Sequence, residues 1–313
     1  MEEKKPIANE MTTIQSPAVE ELPKWGYKYI SEEENKKLRN YILTDVIFKD
    51  TLAKKLNEIN NYEYKGEKYK FSASTIGQAI KDLNEDLVTG LISTNEKIYD
   101  LLTLGKSYQE NMVDGTKRSF DIKYIDFEHP ENNDFYVTEE FSVLRMNGKD
   151  YARPDIVLFV NGIPLAVIEC KDASVPIIQA ISQNIRNQKP DYIPQLFKFI
   201  QIVMAANKNE TKYATCGTPD KFWSTWNEQY VEKQNELLDK TVIGRQVTKQ
   251  DRDIISLFEK ERFLELIKDF IIFEAGTKKI CRYQQYFAVK AMLERIKHYK
   301  KGGVVWHTQG SGK

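Results

Sequence analysis

Three charged residues stand where charge costs most. Asp155 follows Pro154 and opens the apolar run 156–160, Glu169 ends the apolar run 165–168, and Lys171 comes two residues later. Carboxylates at the ends of buried strands need a partner or a metal, because burying them alone costs several kcal/mol. The chemistry such a set supports is metal-assisted hydrolysis of a phosphodiester, in which a divalent ion neutralises developing charge and acidifies the attacking water. Magnesium takes few protein oxygens and keeps waters of its own. The carboxylates of Asp155 and Glu169, with the backbone carbonyl of Cys170, would satisfy it. Lys171 should share a strand face with Glu169. There it would orient or deprotonate the water and stabilise the pentavalent phosphate. A plainer reading stays open: Glu-x-Lys at a solvated edge and Pro-Asp in an ordinary turn.

A second set closes the sequence. Gly310, Ser311, Gly312 and Lys313 follow residues 302–306 (GGVVW), which are expected to begin a buried strand. A glycine-rich turn after such a strand wraps a phosphate in backbone N–H groups, with Lys313 reaching the β- and γ-oxygens. Upstream, Gln285 is placed to contact an adenine, or else simply sits at an exposed helix start.

These residues depend on the elements that carry them. Residues 155–160 and 165–170 read as strands covered on both faces, joined by a hairpin turn at Asn161-Gly162. A strict two-residue loop pairs Val160 with Ile163, and hence Asp155 with Ile168. That register puts Asp155 and Glu169 on opposite faces of the sheet. A shared site therefore requires one extra residue, in a three-residue loop or a β-bulge. Pro164, which lacks an N–H, makes the bulge credible.

Around this hairpin, residues 13–22, 46–59, 74–87 and 97–104 have helical periodicity, and 120–127 and 135–144 look like strands. A helix is expected from Val175-Pro176 to about residue 188, then an apolar segment at 200–206. Residues 228–245 read as a linker, 254–273 as one or two helices and 280–300 as another. The expected class is α/β in the mixed α+β sense: a mixed sheet flanked by helices. The divisions are an N-terminal arm (1–24), the main domain (25–230), a helical linker (231–275) and the start of a further domain (276–313).

The chain has 313 residues, 41% hydrophobic, with 46 basic and 46 acidic residues, so its net charge is zero and any nucleic-acid contact must come from a local patch. Cys170, Cys216 and Cys281 are widely spaced and only three histidines are present, which disfavours zinc. No apolar stretch reaches the roughly 18 residues of a membrane span and no leader is recognisable, so a cytoplasmic setting is expected.

At these residues the sequence resembles the N-terminal part of the R (restriction) subunit of type I restriction-modification enzymes. The resemblance rests on residues 125–135 (IDFEHPENNDF), 153–171 (RPDIVLFVNGIPLAVIECK), 194–207 and 303–313 (GVVWHTQGSGK). It implies a PD-(D/E)XK restriction-endonuclease-like core whose triad is Asp155, Glu169 and Lys171, followed by the start of a helicase-type, RecA-like motor. It implies Mg2+ for cleavage and, in the full-length protein, ATP at Gln285, Gly310, Ser311, Gly312 and Lys313. It implies double-stranded DNA as substrate, and methyltransferase (M) and specificity (S) subunits as partners. The family often carries Gln-x-x-x-Tyr after the triad. Gln183 matches the glutamine and is carried over as catalytic, whereas Asn187 stands at the tyrosine position and is assigned no role. Many members place a glutamate near the metal where this chain has Gln15. Such subunits are much longer, so this chain reads as a fragment that does not itself hydrolyse ATP. The competing expectations are an inactive remnant serving assembly or DNA binding, and a stand-alone nuclease of another system.

Overall fold

The computed structural model describes residues 16–228, 232–300 and 302–306. A six-stranded mixed sheet organises them. Its strands lie side by side in chain order: β1 (Lys28–Tyr29), β2 (Phe135–Glu139), β3 (Ile156–Val160), β4 (Ile163–Cys170), β5 (Ile202–Ala206) and β6 (Thr211–Ala214). The β1–β2 and β4–β5 pairs are parallel; β2–β3, β3–β4 and β5–β6 are antiparallel. Every residue of β3, β4 and β5 is buried, as expected of apolar strands covered on both faces, Glu169 in β4 being the one charged residue among them. The helix Ile178–Asn187 makes the crossover between the parallel strands β4 and β5. The long connection from β1 to β2 carries the helices Glu32–Leu38, Lys49–Ile59, Ala73–Leu83 and Leu91–Leu104. The sequence thus yields the expected mixed α/β arrangement.

The β3–β4 hairpin turns on two residues, and its ladder is irregular where an extra residue is required. Asn161 and Gly162 have φ of 56° and 87°, the left-handed pair that a tight hairpin demands. Val160 pairs with Ile163 and Phe159 with Pro164, but Leu158 then pairs with Ala166. Leu165 is left over as a bulge, next to a proline that has no N–H to offer the ladder. Past the bulge Ile156 faces Ile168, so the register carries Asp155 to the position opposite Glu169.

Buried polar side chains fix the tip of this hairpin. The Asn161 amide donates to the Tyr124 carbonyl (3.0 Å) and to Asn133 Oδ1 (2.8 Å), while its oxygen accepts from the Asp134 N–H (2.9 Å). This corrects the expected strand at residues 120–127. The strand there is Lys117–Ile122, paired with Lys106–Asn111 in a separate ribbon, and residues 125–134 form a loop. Asp126 binds the His129 N–H, Asn132 Nδ2 and Lys123 Nζ, and Asn133 brackets Asp126 on both sides of its peptide. Side chains that capture nearby backbone groups compete successfully with a ladder.

The C-terminal third packs against the same core, through Leu238, Ile255, Phe258, Phe263, Leu266 and Tyr286. The segment expected as a linker holds the helix Glu232–Thr241. Residues 254–273 resolve into the helices Lys249–Phe258 and Lys260–Asp269, broken at Glu259, whose carboxylate caps the second by accepting the Arg262 N–H. A hairpin follows, Ile271–Glu274 with Thr277–Ile280, where helix was expected on both sides of Gly276. Ala275 and Gly276 take positive φ at its turn. The helix Tyr283–Tyr299 comes next. Residues 302–306 form no strand: Val304 and Trp306 are 92% exposed. A strand exists only by pairing, and among the described residues none lies beside this segment.

Candidate active site

The bulged hairpin assembles a pair of carboxyl groups, one of them fully buried. Glu169, near the end of β4, has no exposed surface, and Asp155, just before β3, is partly exposed. The register sets the two carboxyl groups across the hairpin from each other. Burial first, and then the charge of Asp155, push the Glu169 carboxyl well above the usual carboxylate range. Asp155 is fixed in turn by the Cys170 N–H, 2.7 Å from its Oδ2.

Lys171 continues the parallel ladder, its N–H bonded to the Ala206 carbonyl (2.9 Å). That places it on the same face as Glu169, two residues on, where its positive charge eases the ionisation of Glu169. Gln183 and Asn187 reach the site from the helix Ile178–Asn187. Gln183 Nε2 donates to one oxygen of Glu169 (2.6 Å) and Asn187 Nδ2 to the other (3.1 Å). The resemblance assigns Asn187 no role, because it lacks the aromatic ring expected there. Its amide takes a different one, clamping Glu169 from a residue only 1% exposed. The signal was present in the spacing, since residues four apart on a helix share a face.

The donor set discriminates between metals. Among the described residues no group of three or more His, Cys, Asp or Glu is placed to hold an ion. Two adjacent carboxyl groups and a strand-end carbonyl, that of Cys170, suit magnesium, which completes its shell with water. Burial disfavours the charged form of Glu169, and Asp155 stands opposite it, so a cation between them would offset both charges and the residues present fit Mg2+.

The second expected set is only partly visible. Gln285 is half-buried at the start of the helix Tyr283–Tyr299, where its Oε1 accepts the Arg282 N–H (2.8 Å) as part of the helix cap. Its neighbour Tyr286 is buried against Trp226 (ring centroids 5.6 Å apart), so this helix start is anchored to the main core. Gly310, Ser311, Gly312, Lys313 and Gln15 lie outside the described residues.

A mixed sheet whose bulged central hairpin brings an aspartate, a glutamate and a lysine to one strand end defines a class: an α/β protein with a compact two-carboxylate site. The chain belongs to the family described as "Type I restriction enzyme R protein N terminus", whose model matches residues 7–222. A second model, "SWI2/SNF2 ATPase", matches residues 284–313. Two relatives come from Methanocaldococcus jannaschii. The putative type I restriction enzyme MjaIXP endonuclease subunit is 29% identical over 97% of this chain and 30% of its own length. The putative MjaVIIIP endonuclease subunit is 32% identical over 94% of this chain and 27% of its own. The type I restriction enzyme HindI endonuclease subunit of Haemophilus influenzae is 27% identical, over 92% and 27% respectively. The chain thus spans less than a third of the length of these relatives. No helix among the described residues is long and apolar enough to cross a membrane.

Proposed function

We propose that this chain is the nuclease-bearing N-terminal part of the endonuclease subunit of a type I restriction-modification enzyme. In this reading its sheet is a PD-(D/E)XK core that cuts DNA with Mg2+. The observation that carries the proposal is the placement of Asp155 opposite Glu169 by the Leu165 bulge, beside Lys171. Asp155, Glu169 and the Cys170 carbonyl would hold the ion. When bound, Mg2+ supplies charge neutralisation at the phosphate and a more acidic water.

The remaining work falls to the chain's own groups. The Gln183 and Asn187 amides fix both oxygens of Glu169, and the Cys170 N–H fixes Asp155, so neither carboxylate must reorganise when charge arrives. Lys171 would orient the attacking water and offset negative charge on the phosphate. In the full-length protein the helix at Gln285, with Gly310, Ser311, Gly312 and Lys313, would open an ATP-driven RecA-like motor. The neutral charge of the chain accords with a division of labour in which M and S subunits share the grip on DNA.

The test is plasmid cleavage by the full-length subunit assembled with its M and S partners, with ATP and Mg2+. Cleavage that is lost in Asp155→Ala while the complex still assembles is the expected result. Undiminished cleavage by that variant would overturn the assignment.

A further inference from the structure

A groove beside the carboxyl pair has features that hydrolysis alone does not use. Gln183 and Asn187 line it, and these are the amides that hold Glu169, so the groove adjoins the site. Arg186 of the same helix lines it as well. So does the ribbon made of Val143–Leu144 and Tyr151–Ala152, with Arg145, Lys149, Tyr151 and the following Arg153. Four lining residues are cationic and one, Asp150, is acidic, a local net charge of 4 − 1 = +3 in a chain whose net charge is zero.

The cations are not equivalent. Arg145 sits over Tyr192, 3.9 Å from the ring centre (Arg186 lies farther, at 5.4 Å), and is flanked by Asp150 (3.8 Å) and Asp191 (3.6 Å), so it braces the wall. Lys149, Arg153 and Arg186 are exposed, and Arg153 has an acid, Glu140, only at 4.0 Å. Tyr151 stands among them, 53% exposed. Exposed cations interleaved with an exposed ring are what a nucleic-acid strand requires, phosphates on the charges and sugar or base on the ring.

We propose that this groove seats the DNA backbone flanking the phosphate to be cut. Lys149, Arg153 and Arg186 take successive phosphates, and Tyr151 packs against a sugar or base. The identity of the cut phosphate rests on the nuclease reading; the binding itself does not. It answers how a chain of zero net charge holds DNA: the grip is local and lies next to the chemistry.

The test is fluorescence anisotropy of a short labelled duplex with the 313-residue chain in EDTA, titrated over a range of salt. Lys149→Ala and Arg186→Ala should each weaken binding and shrink the slope of log affinity against log salt by about one, and the double variant by about two. Lys68→Ala, on the exposed ribbon Tyr62–Tyr64/Glu67–Tyr69, should change neither. Affinity and slope unchanged in the double variant, or no binding by the wild-type chain even at low salt, would overturn the proposal. Failure of the nuclease reading would appear elsewhere, as cleavage insensitive to Asp155→Ala.

Discussion

Asp155 sits across the hairpin from Glu169 only because Leu165 is extra in the ladder. Without that residue Asp155 would face Ile168, and the two acids would point to opposite sides of the sheet. The site is therefore a consequence of backbone register as much as of residue type, and its integrity depends on the turn that sets the register.

Gly162 is the sensitive point of that turn. Its φ is +87°, and a Cβ there would lie 2.9 Å from the backbone oxygen of Phe48. Gly162→Ala should destabilise the chain by roughly 1–3 kcal/mol, from the left-handed backbone and the clash together. Urea unfolding reads this as a lower midpoint at unchanged slope. A midpoint equal to wild type would mean that the tip is free to move away from Phe48.

Asn187 should behave as a positioning residue. Asn187→Ala leaves Glu169 Oε1 without its amide, and Mg2+ affinity should fall about 10- to 100-fold, the range seen when groups that orient metal ligands are removed. Gln183→Ala should do the same through the other oxygen. Calorimetric titration checks both, and undiminished affinity in Asn187→Ala would reduce its contact to packing.

How much of this was legible in the sequence follows from which physics dominates locally. Asn161-Gly162 between two apolar runs marks the hairpin, and parity of side-chain direction alone demands an extra residue if the two acids are to share a face. The loop at 125–134 was misread because Tyr124, Ile125 and Phe127 look strand-like, whereas Asp126 and Asn133 decide the backbone by local hydrogen bonds. The hairpin 271–280 was missed because each of its strands is four residues long and abuts a helix, too short for a period of two to declare itself. Asn187 was overlooked because a familiar aromatic was sought at its position, and only the Glu169 contact shows what the shorter amide does.

That missed hairpin drives Lys278 into the core, where its ammonium donates to Asn95 Oδ1 (2.7 Å) and Gln201 Oε1. Burial lowers its pKa to about 7, against 10.5 for a free lysine. Between those values the unfolded chain binds a proton that the folded chain does not, so this group makes stability rise with pH from about 7 to 10.5 and fall as pH drops toward 7. Lys278→Met should remove that contribution. The wild-type minus variant difference in unfolding free energy should grow between pH 7 and 9, with a slope approaching ~1.4 kcal/mol per pH unit. A difference independent of pH would mean that Lys278 stays charged in the fold.

In the completed enzyme, Glu169→Ala and Lys171→Ala should each abolish cleavage as Asp155→Ala does, with secondary structure by circular dichroism unchanged. Because the three groups act as a unit, a double variant should be no worse than either single one. Additive losses would indicate separate roles.

If Asp155 and Glu169 hold one divalent ion together, Mg2+ titration of the 313-residue chain by isothermal calorimetry will show it. Wild type should bind a single ion at this site, and Asp155→Asn and Glu169→Gln should each lose it while remaining folded. Mg2+ binding that survives in both variants, or none in the wild-type chain, would mean that the two carboxyl groups are not a metal site.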